Sequence, residues 1–259
     1  MAKTVTIASA VGGCGKSTFA VSLAYALAAR EKSVLLIDLS PASPSLASLC
    51  SVSESVLYTI FDLVDGSVGA ETVILPLPEK KGEPERQRIS LVPALPCFSC
   101  VGEGVGKAVR ALELASEADF VIVDASLDAY PHVALFSDEC ILLTDTRESS
   151  LSASEALAYA FSEEYRFTQF VLKSSLVRER IVRDEPFLDI IDRLATVPLG
   201  ILPQSDLIFD TGLLLYKKHA REPYVLAVKN IAARLLGENV PLLRGITPEG
   251  ISRVAFFAR

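Results

Sequence analysis

Thr4-Val5-Thr6-Ile7-Ala8-Ser9-Ala10-Val11-Gly12-Gly13-Cys14-Gly15-Lys16-Ser17-Thr18 decides the reading of this chain. Its first five residues form a short apolar, β-branched run, and a helical spacing of Phe19, Leu23 and Leu27 starts directly after its end. A strand that passes through glycines into a helix is the setting a phosphate-binding loop needs. Gly12, Gly13 and Gly15 let successive backbone N–H groups, with those of Cys14 and Thr18, turn toward one anion. The helix start adds its positive end, Lys16 neutralises phosphate oxygens, and Ser17 offers a hydroxyl to magnesium. The strict spacing G-x-x-x-x-G-K-[ST] has Ala10 at its first position, so the flanking strand and helix carry the assignment.

Outward from this loop, short apolar runs recur at Val34 to Ile37, Phe120 to Val123, Cys140 to Leu143, Phe170 to Leu172 and Leu199 to Leu202. Continuous rather than alternating apolarity marks strands buried on both faces, as in a parallel sheet. Helical spacings lie between them, as in Val109, Leu112 and Leu114 to Ala115, and in Leu226, Ile231 and Leu235. This alternation predicts an α/β fold, a doubly wound, mostly parallel sheet with helices on both faces. The expected organisation is one nucleotide-binding domain over 1–240 and an appendage over 241–259. Glu79 to Arg88 is charged and carries Gly82 and Pro84, which predicts an exposed loop.

Asp38 and Asp124 each follow an apolar strand, at the edge where doubly wound sheets bind ligands. Asp124 is expected to hold a magnesium-bound water, with Ser17 as a direct ligand and Asp38 as a supporting acid. Simple turn capping is the alternative for either acid.

Composition narrows the class. The chain has 259 residues, a net charge of -7 and half of its residues apolar, without the run of about 20 apolar residues that a spanning helix requires. The start lacks the long apolar centre of a secretory signal, which predicts a cytoplasmic protein. The negative charge opposes broad attraction to nucleic acid, and the arginines 178, 180 and 183 read as a solvated face. Five cysteines in such a chain argue against a disulfide framework. Cys97 and Cys100 alone have metal or redox spacing, and buried inert thiols are the plainer reading.

These motifs, in this order, resemble the MinD/ParA family of deviant Walker ATPases, and the MinD branch in particular. Gly12-Gly13-Cys14-Gly15-Lys16-Ser17 matches the family's G-G-x-G-K-[ST], and Leu36-Ile37-Asp38-Leu39 matches the strand entering its first switch. Tyr58-Thr59-Ile60-Phe61-Asp62-Leu63-Val64-Asp65 is similar to the Y-D-L-V-D segment, Leu91-Val92-Pro93-Ala94 to L-L-P-A, and Gly200-Ile201-Leu202-Pro203 to the G-V-I-P turn beside the adenine. The resemblance implies ATP and Mg2+ as ligands, with Lys16 and Asp124 carrying the chemistry and Pro203 on the adenine side. It also implies a homodimer when ATP is bound, a protein partner, and a role in spatial positioning.

Three departures bear on hydrolysis. The family's signature lysine falls at Val11, its second switch-I aspartate at Ser40, and its D-x-P-A-G appears as Asp124-Ala125-Ser126-Leu127-Asp128. Slow or absent ATP hydrolysis is the expectation. A ParA-like DNA partition ATPase, a pseudo-ATPase scaffold and a metal or iron-sulfur carrier are the alternatives. In the tail, Thr247-Pro248 is a helix start, and Ile251, Val254, Ala255 and Ala258 follow helical spacing. A helix over 248–259 docked on the core and one lying on a membrane surface are both open readings.

Overall fold

The computed structural model describes residues 2–40, 45–79, 81, 84–94, 102–163, 165–174, 187–205, 221–242 and 244–245. Its eight-stranded, mostly parallel sheet with helices on both faces is the α/β architecture that the alternating runs predict. The chain divides into two compact units: residues up to Ala8 with Gly15–Cys140, and Ser9–Cys14 with the described residues from Ile141 onward.

In the first unit the strands are β1 (Lys3–Ala8), β2 (Val34–Leu39), β3 (Leu75–Pro76), β4 (Ile89–Val92) and β5 (Phe120–Ala125), in the order β3-β4-β2-β5-β1. Only β3 runs antiparallel to its neighbour. Every residue of β2 and β5 is buried, so both faces of these strands are covered. The cover on one side is α1 (Lys16–Ala28), which packs with α2 (Leu46–Leu49). On the other, α5 (Glu103–Ser116) packs with α3 (Ile60–Val64), α4 (Ala70–Val73) and α6 (Tyr130–Ala134). Phe19 to Ala28 are all buried, where the sequence spacing predicts only one covered face. The unbroken apolar and small residues of α1 allow burial all round.

Register in this unit is pinned at the strand starts. Ser33 donates its backbone N–H and its hydroxyl to Asp119 Oδ2, at 2.8 and 3.0 Å, and Phe120 N–H donates to the Ser33 carbonyl at 3.0 Å. The result aligns Asp38 of β2 with Asp124 of β5 at the opposite end.

The stretch predicted as an exposed loop needs correcting at one residue. Arg86, in a 3-10 turn over Pro84–Arg88, is buried. It donates to the Pro78 carbonyl at 2.9 Å, the Tyr25 hydroxyl at 3.1 Å and the Cys50 carbonyl at 3.0 Å.

The second unit contains β6 (Glu139–Asp145), whose first two residues close the first unit, with β7 (Gln169–Ser174) and β8 (Val197–Pro203), all parallel. Its helices are α7 (Glu148–Ala160), α8 (Phe187–Leu194) and α9 (Pro223–Leu235). Arg193 ties α8 to α7 through Glu148 and Glu155, each at 2.9 Å. Arg234 of α9 donates to the Leu199 carbonyl of β8 at 2.7 Å, and burial pushes its pKa down to about 10.

Candidate functional site

β1 ends at Ala8, the chain turns through Ser9 to Gly15, and α1 opens at Lys16. Gly13 has φ +77° and Gly15, the N-cap of α1, has φ 90° and ψ 25°. These are left-handed conformations that cost a residue with a side chain roughly 1–2 kcal/mol. A Cβ built on Gly12 or Gly13 meets no atom within 4 Å. No neighbouring protein atom therefore crowds out a side chain there. Bare backbone beside open space is what an anionic ligand needs to approach closely. The first turn of α1 has neither a side-chain cap nor an acidic residue, which leaves its orphan N–H groups and positive end for such a ligand.

Register brings Asp38 and Asp124 side by side at the C-terminal ends of β2 and β5, with Ile7 of β1 on the other side of Asp124. Both acids are 1% exposed. The Lys16 ammonium, from the first residue of α1, forms an ion pair and hydrogen bond with Asp124 Oδ1. Asp38 accepts the Ser40 N–H on Oδ1 and the Leu46 N–H on Oδ2, both at 3.0 Å, and so ties Ser40 to the first residue of α2. Burial, and then the charge of Asp124, push the Asp38 carboxyl up to about 7, against the pull of those amides and Lys16. Two adjacent buried carboxylates with one ammonium, and the half-buried Ser17 next to Lys16 on α1, form a hard-oxygen donor set short of positive charge. That set fits Mg2+, which takes few protein ligands and completes its shell with water and phosphate oxygens.

In the second unit, the buried Cys14 thiol donates to Asp145 Oδ2 at 3.7 Å. Burial and the Asp145 charge push the thiol up to about 11, so at neutral pH it is protonated and unreactive. Burial acts to raise Asp145, but the hydrogen bonds of Arg147 outweigh it and hold the carboxylate down to about 2. Lys173 is the register neighbour of Asp145, and Pro203 that of Ser174.

Lys16, Asp38 and Asp124 thus come together, with Ser17 and Thr18 on the same helix turn. Val11 is half-buried, Ser40 is buried and Asp128 is exposed. The Asp145 and Arg147 pair is absent from the sequence prediction, because nothing in Asp145-Thr146-Arg147 distinguishes it from an ordinary turn. Cys97 and Cys100, the arginine cluster and the tail lie outside the described residues. Among the described residues no group of three His, Cys, Asp or Glu side chains gathers, and no helix is long and apolar enough to cross a membrane.

A left-handed glycine turn between a buried strand and an uncapped helix, with a lysine facing paired strand-end acids, defines a P-loop nucleotide-binding α/β protein. The chain belongs to the CobQ/CobB/MinD/ParA nucleotide binding domain family, whose sequence profile matches residues 5–187. It is 24% identical to the septum site-determining protein MinD of Bacillus subtilis over 256 residues, covering 93% of this chain and 92% of that protein. Among solved structures it is similar to the MinC:MinD cell division protein complex of Aquifex aeolicus, with a TM-score of 0.79, 22% identity, and 93% of this chain and 98% of that one covered. It is also similar to the septum site-determining protein MinD complexed with Mg-ADP from Pyrococcus horikoshii, with a TM-score of 0.71, 21% identity, and 91% and 96% covered.

Proposed function

We propose that this chain is a MinD-like protein that binds ATP with Mg2+ and uses the bound nucleotide as a switch for self-association and spatial positioning of another assembly. The observation that carries this reading is the Lys16 and Asp124 pair beside Asp38, at the first turn of an uncapped helix. In the nucleotide-bound chain, amides of residues 11 to 18 and Lys16 take the phosphates, and Pro203 flanks the base. Ser17 and Asp124 would hold Mg2+ directly or through water, while Asp38 holds the Ser40 and Leu46 N–H groups. Bound Mg2+ supplies charge neutralisation between the phosphates and a polarised water shell.

Lys16 has a second task, since its ammonium must leave Asp124 to reach a phosphate. A phosphate would give the Lys16 ammonium an anionic partner in place of Asp124, and the Asp124 carboxylate would then be available to hold Mg2+. Neither carboxylate nor ammonium is then left unpaired, which a buried site penalises heavily.

Hydrolysis in this reading is slow. A positioned cation on the transferring phosphate is worth roughly 10³–10⁵ in rate, and valine at position 11 supplies none. Val11 and Ser40 also favour a second reading, a pseudo-ATPase scaffold that binds ATP without turning it over. Family relatives named MinD along more than nine-tenths of this chain support the positioning role. The Aquifex aeolicus complex supports a protein partner. The chain is proposed to act in the cytoplasm; for residues 248–259 docking on the core and a weak membrane contact that an ATP-held dimer doubles both stand as readings.

Calorimetry with ATP and Mg2+ tests the binding site, and the expected result is saturable binding that Lys16→Ala abolishes. Phosphate release at rates ordinary for the family would reject slow hydrolysis. Release restored by Val11→Lys with Ser40→Asp would identify those two positions as its cause. Vesicle sedimentation that ignores both ATP and removal of residues 247–259 would reject the membrane contact.

A further inference from the structure

The turn Ser9–Cys14 has no charged side chain of its own, yet a guanidinium is tied to it. Cys14 donates its thiol to Asp145 Oδ2 at 3.7 Å. The same carboxylate grips Arg147 three ways: Nε donates to Oδ1 and Oδ2 at 3.0 Å, and a terminal nitrogen to Oδ2 at 2.6 Å. Arg147 N–H adds a fourth bond to Oδ1 at 3.0 Å. The guanidinium also lies close enough to interact with the Cys14 sulfur itself.

Two features make a purely structural role for Arg147 a poor explanation. Its side chain is 65% exposed, so the charge is not part of a packed core. It is also the N-cap of the 13-residue α7, with no capping hydrogen bond, where a cation meets the positive end of the helix dipole and is disfavoured. A cation at an uncapped helix start breaks a local rule, and the fork to Asp145 engages only part of the guanidinium's donors. The acidic residue next to it does not offset the charge, since Glu148 is bound by Arg193 at 2.9 and 3.1 Å. Lys173, the register neighbour of Asp145, adds a second cation against that single carboxylate.

We propose that Arg147 is a phosphate-binding residue of this chain, supplying the cation that meets the outermost phosphate of a triphosphate held on the Ser9–Cys14 turn of the same unit. The inference rests on the reading of that turn as an ATP site and adds to it a ligand-discriminating group. Asp145 acts as the positioning residue. It holds the guanidinium through a fork and leaves the side chain 65% exposed, so that donors remain with which a planar guanidinium can take phosphate oxygens.

The test compares binding of a non-hydrolysable ATP analogue and of ADP, each with Mg2+, by calorimetry on the full chain. Arg147→Ala is expected to weaken the analogue about tenfold or more and ADP less than twofold. Arg147→Lys should retain most of the discrimination and Arg147→Gln should lose it. Adding Val11→Lys to Arg147→Ala should recover tight analogue binding, because a cation returns to the same loop; a merely structural arginine gives no such rescue. The Arg147→Ala loss should already be present at protein concentrations too low for self-association, since the group serves its own chain. Equal losses for both nucleotides, no loss for either, or an effect seen only at high protein concentration would overturn the proposal. An unaltered chain that binds neither nucleotide would overturn the ATP-site reading beneath it, and is told apart because no substitution is needed to see it.

Discussion

Lys16 and Asp124 hold each other, so substituting one changes what the other can do. Asp124→Asn removes the charge that retains the ammonium and the carboxylate proposed for Mg2+. Two opposite effects are expected in one variant: ADP binding in the presence of a chelator becomes equal or tighter, while the tightening that Mg2+ brings to ATP falls about tenfold or more. Titrations with and without Mg2+ check both, and a parallel loss in the two conditions would contradict the partner exchange. Arg86 gives a prediction of another kind. It donates to three acceptors in a buried setting, so Arg86→Ala leaves them unmet and is expected to cost about 3 kcal/mol or more of stability, read from denaturant midpoints. The two residues also differ in how far sequence reveals them. Lys16 stands at a fixed offset from glycines that serve a local backbone need, and Asp124 at the end of an apolar run. Arg86 sits in a charged stretch whose acceptors, Tyr25 and Cys50, are distant in sequence, and local pattern carries no trace of them.

Elements long enough to show a period were readable, and shorter ones were not. Six of the strands coincide with continuous apolar runs. The two-residue β3 and the four-residue β4 flank a charged segment and offer too few positions for a pattern. In α5, Val109 and Leu112 are buried as their spacing predicts, joined by Val105, whereas Leu114, expected on the same face, is 65% exposed. The same helix carries two glycines with opposite expected outcomes. A Cβ on Gly106 would lie 2.4 Å from the His132 carbonyl of α6, which cannot yield without moving the helix, so Gly106→Ala should destabilise by about 1–3 kcal/mol. A Cβ on Gly104 meets only the exposed-edge Val64 Cγ1 at 3.2 Å, and Gly104→Ala gains up to about 1 kcal/mol of helix propensity. Thermal melts of the two variants should move in opposite directions. At the strand starts, the Ser33 amide and hydroxyl hold Asp119 below the usual carboxylate range. A depressed folded pKa contributes stability at pH values above the unfolded one and loses it as pH falls through the folded value. Asp119→Asn should therefore cost up to about 1 kcal/mol at neutral pH, discounted for its exposure, with the difference closing in acid below the ordinary carboxylate range.

At the scale of the whole molecule, the α/β class follows from many weak signals that agree, which is why it survives missing β3 and β4. The net charge of -7 does not itself define the ligand, since a local ring of N–H groups and one lysine can attract an anion to a negative protein. What binding does to the molecule follows from linkage: a ligand that binds the folded chain and not the unfolded one stabilises it in proportion to the logarithm of its saturation. ATP with Mg2+ at about a hundredfold over its dissociation constant adds roughly 2.7 kcal/mol. For a chain of this size that corresponds to a rise of about 5–10 °C in melting temperature. Lys16→Ala should abolish the rise. Its own ligand-free melt should fall as well, because the substitution leaves Asp124 buried beside Asp38 without the ammonium, and two like charges there oppose folding. Raising the pH above 7 should deepen that second loss, because Asp38, pushed up to about 7 even with the ammonium beside it and further without it, sheds its proton there and the repulsion with Asp124 sets in. A melting temperature that ATP raises equally in both proteins would mean that the nucleotide binds elsewhere on the chain.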